Sequence, residues 1–185
     1  MADLNERDSS EEHKLFIDKY FEQSFKTVST KEPASEFEDY CVLKHSNKVC
    51  VLTLAPGHSL LTSNKQITLV DFQITPTTNR MDNKVVGKSK KGAQWLANLS
   101  PICRVKCSDN SEYTIRSCIQ GKLIEVNERL STHPSLITEK PFTEGYIAII
   151  LPKLKKWDNE MLTLISKAEY FKVLEERKNL NLEDT

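Results

Sequence analysis

Between residues 40 and 151 the chain is a succession of short apolar or β-branched runs, each cut off by a polar, glycine or proline signal. Residues 40–43 and 49–54 flank Lys44-His45-Ser46-Asn47-Lys48, the pattern of a hairpin with a polar turn, and Pro56-Gly57 stops the second run. Residues 67–74 alternate before Pro76, and Val85-Val86-Gly87 reads as another short strand. Residues 102–107 and 113–119 flank a polar tip, Ser108 to Glu112, which predicts a second hairpin. Residues 123–126 and 146–151 complete the series. Many short strands at close intervals leave few folds open: a small antiparallel sandwich or barrel, mainly β.

The flanks differ from this middle. Residues 1–13 are acidic and small polar, with almost nothing to bury, and are expected to be a disordered tail. Residues 14–39 are expected to hold a short amphipathic helix and a linker. Leu15, Phe16, Tyr20 and Phe21 recur at helical spacing over residues 14–25, and residues 27–37, with Pro33, read as the linker. That helix either docks on the core or offers its apolar face to a partner. The β domain spans 40–152, and a C-terminal helical segment follows over 153–178. There Ser166-Lys167-Ala168-Glu169 has the form of a capping box, and Tyr170, Phe171 and Leu174 supply an apolar face. Residues 179–185 are expected to fray.

Composition narrows the function. The chain has 185 residues, a hydrophobic share of 38% and a formal net charge of zero, which fits one ordinary globular domain with flanking segments. Neutrality gives no long-range pull toward nucleic acid or acidic membranes, so such binding must be local. No apolar run approaches the roughly 20 residues that span a bilayer. The start, MADLNERDSSEEHK, has neither a signal core nor the make-up of a transit peptide, so a cytosolic or nuclear protein is expected. Five cysteines, an odd number without dense spacing, point to reduced thiols packed as small hydrophobes. The metal alternative is zinc on Cys41, His45, Cys50 and His58, although no CxxC pair exists.

Catalytic motifs are missing. Gly87 and Gly92 lack a phosphate-loop context, no GxSxG elbow occurs, and His13, His45, His58 and His133 lie in a tail or in turns. A Cys–His dyad assembled in space stays open, but no nucleophile sits in an activating context, so no enzyme is expected. The densest charge feature is Lys84, Lys88, Lys90 and Lys91, with Arg80 just before and Ser89 and Gly92 marking an exposed loop. It is either a solvated face or a site for an acidic partner: a protein surface, RNA or an import receptor. Lys153, Lys155 and Lys156 beside Trp157 form a second cluster. No aromatic interleaves with the first cluster, which argues against base stacking there.

Two resemblances sharpen this picture. From Gly121, the stretch GKLIEVNERLSTHPSLITEKPFTEGYIAI is similar to the C-terminal half of the lipoyl domain of the glycine-cleavage H protein. There a Gly-strand-Glu-Val-Asn segment leads through a Pro-Leu loop to a Gly-aromatic strand. Val86-Gly87, Gly92 and Leu96 echo its upstream positions, so the likeness covers about residues 85–151. Counting back from Gly121 without gaps, the lipoylated lysine falls on Asn110, whose amide cannot be acylated. Lys106, the nearest lysine, precedes the tip and falls within a strand. The resemblance therefore implies the fold without the swinging arm.

Over residues 18–170 the chain also resembles the Abitram (Simiate) family. The likeness rests on Asp18-Lys19-Tyr20-Phe21, Leu43-Lys44-His45-Ser46-Asn47, Asn83-Lys84-Val85-Val86-Gly87-Lys88, Lys91-Gly92-Ala93-Gln94 and Glu144-Gly145-Tyr146-Ile147-Ala148. It implies a lipoyl/biotinyl-like barrel-sandwich hybrid with a short N-terminal helix and a C-terminal helix. It implies a non-enzymatic protein that binds actin, monomer or filament, and regulates its assembly. Nuclear speckles and other nuclear partners, lamellipodia, growth cones and dendrites are its implied settings; no cofactor, membrane or small-molecule substrate is implied. The family motif nominates no actin-contacting residue, so Lys84, Lys88, Lys90 and Lys91 are candidates on charge alone. The competing readings are a lipoyl or biotinyl carrier domain and a nuclear RNA-associated module.

Overall fold

Runs of β-branched and aromatic residues form strands here because each finds a partner strand along an edge and an apolar layer against a face. The computed structural model describes residues 16–29 and 37–183. Its elements in chain order are α1 (16–20), β1 (Phe21–Ser29), β2 (Phe37–His45), β3 (Cys50–Leu54), α2 (Ser59–Thr62), β4 (Ile67–Asp71), β5 (Gln73–Thr75) and β6 (Thr78–Asn79). Then come β7 (Trp95–Leu96), β8 (Pro101–Cys107), β9 (Glu112–Arg116), β10 (Gly121–Val126), α3 (Arg129–Thr132), α4 (Leu136–Glu139) and β11 (Ala148–Pro152). A 3-10 turn (Leu154–Lys156), α5 (Trp157–Met161), β12 (Ile165–Ser166) and α6 (Lys167–Glu183) follow.

The strands pair antiparallel in a seven-stranded sheet of order β12-β1-β2-β3-β11-β10-β7, a three-stranded sheet β4-β8-β9 and the pair β5-β6. One core cluster draws on both larger sheets, with Val42, Leu52, Leu123 and Ile150 from the first and Val70, Val105 and Ile115 from the second. The period-2 rule then explains why β2 is apolar on both faces. Tyr40 and Val42 point into that core, whereas Cys41 and Leu43 point outward into a second cluster with Ile17, Phe25, Ala55 and Tyr170. The seven-stranded sheet is thus covered on its outer side by α1 and α6.

α6 begins with the expected capping box. Ser166 Oγ accepts the Glu169 amide (3.3 Å) while the Glu169 carboxylate accepts the Ser166 amide (2.8 Å). Its buried face differs from the expected one. Tyr170 is fully buried and stacks on Phe25 with ring centroids 4.3 Å apart, but Phe171 is turned to solvent. One residue is about 100° of helix, so Tyr170, Leu174 and Arg177 share the docked stripe and Phe171 leaves it. The Tyr170 hydroxyl accepts the Gly57 amide and donates to Asp39 (both 2.8 Å). Arg177 donates to both oxygens of the buried Asp39 carboxylate (2.5 and 3.2 Å) and lies 3.8 Å over the Phe37 ring. This docking keeps the helix regular to Glu183, beyond the end expected near Lys178.

The N-terminal expectation is corrected in a similar way. Helix occupies 16–20, and Phe21 already begins a nine-residue strand paired with β2 from Phe21–His45 to Ser29–Phe37. Thr27 and Val28, expected in a linker, belong to that strand: a full ladder of backbone bonds beside an apolar sheet face outweighs the local helical spacing. Within α1 the buried residue is Ile17, while Phe16 and Tyr20 are exposed. The tail expected over residues 1–13, Leu15 and Pro33 lie outside the described residues. The alternation over residues 67–74 is broken by a register shift between Ile67 and Leu69, which buries Ile67 and Val70 and exposes Leu69. Val85-Val86-Gly87 is not a strand; Val86 makes a single bridge to Lys91.

Candidate interaction surface

The hairpin tip forms where it was expected, between β8 and β9. Cys107 and Ser111 close it by a backbone bond (3.0 Å), and Asn110 stands exposed at the turn with φ +64°. Asn is one of the few residues that tolerates this left-handed region. Beside it, Asp109 accepts from the Ser111 hydroxyl (2.5 Å) and amide (3.0 Å), and Lys65 Nζ lies 3.0 Å from its other oxygen. The Ser111 bonds, then Lys65, hold the Asp109 carboxyl down at about 2. Lys65 also meets the hydroxyls of Ser111 and Tyr113 (both 3.1 Å), so its amine is engaged. Lys106 lies within β8, 3.7 Å from Glu112 across the ladder. The residue at the tip is therefore an amide, and the nearby lysines are strand-bound or paired.

The lysine cluster is a tight turn on a stapled base. Val86 and Lys91 exchange two backbone bonds (both 2.9 Å), and Lys90 donates to the Gly87 carbonyl (3.2 Å). Gly92 is required below it: its φ is +83°, and a Cβ there would meet the Lys84 carbonyl at 2.4 Å. Asn83 donates to the carbonyls of Leu123 and Ile124 (2.9 and 3.2 Å) and accepts the Gln94 amide (2.8 Å). Arg80, grouped with the cluster by sequence, is structural. It is buried, with its guanidinium on the Pro101 carbonyl (2.9 and 3.1 Å) and on Gln94 (2.7 Å). Lys84, Lys88 and Lys91 are exposed and Lys90 is half-buried; among the described residues none of the four forms an ion pair within 4 Å.

Two residues that the sequence pattern does not connect complete this surface. Lys122, on β10, donates to the carbonyls of Ser89 (2.7 Å) and Lys90 (3.2 Å), adding a fifth positive charge and fixing the turn against the sheet. Directly opposite Lys122 in the ladder stands Trp95, exposed on edge strand β7. No aromatic interleaves with the cluster along the chain, but the fold brings one beside the basic turn. Nothing in the sequence signals this: Gln94 and Leu96 share the opposite face of the strand, Leu96 fully buried, and only the pairing with β10 places Trp95 beside Lys122. The second basic cluster is different: Trp157 packs against the core with Lys48 Nζ 4.4 Å over its ring, and Lys153, Lys155 and Lys156 are exposed around it.

The remaining candidates are dispersed. Cys41 faces the second cluster, Cys50 the main core, His45 the end of β2, and His58 is buried as the N-cap of α2. Among the described residues no three His, Cys, Asp or Glu side chains stand close enough to share a metal ion. All five cysteines are buried with free thiols, and burial pushes Cys41 and Cys50 up to about 12. An apolar groove of about 360 Å³ lies between α1, β1 and the segment before β11, lined by residues such as Phe16, Phe21, Phe142 and Tyr146. It offers contact area without a carboxylate, imidazole or amine. No helix among the described residues is long and apolar enough to cross a membrane.

Comparison with known proteins agrees with this architecture. The glycine cleavage H-protein family matches residues 108–177, a span that includes the hairpin tip. A solved glycine cleavage system H protein from Mycobacterium marinum superposes with a TM-score of 0.51 at 10% identity, covering 80% of this chain and 92% of that one. That likeness establishes the fold alone. Protein Abitram of Gallus gallus is 48% identical over 161 residues, 87% of this chain and 91% of the relative. Protein Abitram of Bos taurus is 45% identical over 161 residues, 87% of this chain and 84% of the relative.

Proposed function

The chain belongs to the Abitram family, and from that premise we propose that it is a non-enzymatic actin-binding protein that regulates actin assembly. Its pools are nuclear, including speckles, and cytoplasmic, including cell projections. The observation that carries this reading is Asn110 at the hairpin tip of an H-protein-like fold. The scaffold is kept while the acyl-carrying amine is gone, which favours a surface-binding role over a carrier role. The turn of Lys84, Lys88, Lys90 and Lys91 supplies the attachment point. A neutral chain has no general attraction for an acidic partner, so the pull comes from this concentrated patch.

Co-sedimentation with actin filaments, together with assembly rates measured across salt concentrations, tests the reading. The wild-type protein pellets with filaments or changes assembly rates, and binding weakens as salt rises. The triple variant Lys88→Glu, Lys90→Glu, Lys91→Glu binds more weakly and shows a shallower salt response, because like-charge contacts at an interface cost several kcal/mol. Its melting is nearly unchanged, since exposed charges contribute little to stability. A wild-type chain that stays in the supernatant without altering assembly would overturn the proposal. Binding to RNA with a steep salt slope and no actin effect would assign the turn to nucleic acid instead.

A further inference from the structure

We infer that Trp95 and Val86 form the apolar centre of the lysine turn's docking surface, and that this surface takes an acidic, amphipathic protein segment. The inference rests on the reading of the lysine turn as the attachment point for an acidic partner. Its starting point is the placement of Trp95. The strand that carries it, β7, is the last of the seven-stranded sheet, so among the described residues no strand lies beyond it, and the residue is 47% exposed. Ladder partners project from the same face, so the indole leaves the sheet beside Lys122, whose ammonium caps the turn's own carbonyls. Val86, 68% exposed, closes that turn.

The surroundings are rigid. Leu96 is fully buried, Gln94 is held by Asn83, Asn79 and Arg80, and Asn83 is tied to β10. The indole therefore stands on a fixed base and loses little freedom on binding, the property that makes tryptophan a frequent interface anchor. Trp157, by contrast, is already used by the protein's own core. Charge selects the partner: residues 83–100 contain four lysines and no acid, and Lys122 adds to them. Exposed apolar side chains next to a lysine-rich turn complement an apolar side chain flanked by carboxylates. A single-strand nucleic acid is a poorer match, because it needs successive stacking platforms along a basic groove and Trp95 is the sole aromatic of residues 83–100.

Trp95 and Trp157 are the chain's two tryptophans, so a Trp157→Phe variant leaves Trp95 as the single indole reporter. The probe is a synthetic amphipathic helix of Glu and Leu, compared with poly-glutamate and oligo-dT. The expected result is a blue shift of Trp95 emission with the Glu/Leu helix and little shift with poly-glutamate or oligo-dT. In the same assay by calorimetry, Trp95→Ala weakens Glu/Leu helix binding about tenfold or more, as for a truncated anchor, whereas Trp157→Phe leaves it unchanged. Thermal melts of both variants confirm that they fold. Unshifted Trp95 emission with the helix bound, or tighter binding of oligo-dT, overturns the inference. Filaments separate it from the actin reading. If the lysine variant loses filament binding and Trp95→Ala keeps all of it, the inference fails and that reading survives. If the wild-type chain ignores filaments but buries Trp95 against the helix, the surface stands and actin is not its partner.

Discussion

His58 accepts the Leu60 amide at Nδ1 (3.1 Å), which leaves the proton on Nε2, and Nε2 meets no hydrogen-bond partner among the described residues. The ring is buried against Tyr40 and Tyr113, and desolvation pushes its pKa from 6.5 to about 4. The folded value is the lower one, so the unfolded chain takes up the proton first. The contribution of His58 is complete above about pH 6.5 and is lost as pH falls from about 6.5 to about 4, by up to about 3 kcal/mol. Urea melts across this window check it: His58→Asn, which keeps an N-cap acceptor, should show a flatter pH dependence than the wild-type chain, and parallel curves would place the effect elsewhere. Asn110 makes a different point. Exposure alone predicts that Asn110→Lys changes stability by less than about 0.5 kcal/mol. The left-handed backbone at φ +64° raises the expected cost to about 1 kcal/mol, because only Asn, Asp and Gly occupy that region cheaply. A loss of several kcal/mol would mean that the tip is buried.

At the level of elements, the docking of α6 depends on one buried carboxylate. Asp39 is fully buried and receives two bonds from Arg177 and one from Tyr170, so removing Arg177 strands a charge away from water. Arg177→Met is expected to cost about 3 kcal/mol, and Asp39→Asn combined with it much less than the sum of the two single changes, the mark of a coupled buried pair. Additive losses in a double-mutant cycle by chemical denaturation would show that the pair is not coupled. Much of this element was legible: Ser166 and Glu169 announced the helix start, and Tyr170 its docked side. Asp39 was not, because nothing in a strand sequence says that a carboxylate will face an arginine far along the chain. The same holds for Arg80, which reads as one more charge beside the lysines and is in fact a buried clamp on the Pro101 carbonyl.

For the whole molecule, the five buried thiols give a global probe. A thiol buried in the core is out of reach of reagents until the surrounding structure opens. Labelling in native buffer should therefore be slow for all five and follow opening of the fold, with all five reacting promptly in denaturant; a thiol that reacts promptly in native buffer would locate a mobile segment. Reduced, core-packed cysteines were readable from composition, as were the β-rich middle, the hairpin with Asn110 at its tip and the exposed lysine turn. All of these follow from local physics: alternation, turn chemistry, capping and the scarcity of acids around the lysines. What the chain order could not express is adjacency. Residues 21–29 read as helix and linker until β2 offers a nine-residue ladder, and Phe171 reads as core until the docked stripe of α6 is set by Asp39 and Gly57. Trp95 falls in none of the strands expected from the sequence, and it is β10 that brings Lys122, and with it the lysine turn, to its side. Local propensities are worth fractions of a kcal/mol per residue, whereas pairing and burial are collective, so local signals determine which residues form elements and the tertiary structure alone decides which surfaces meet.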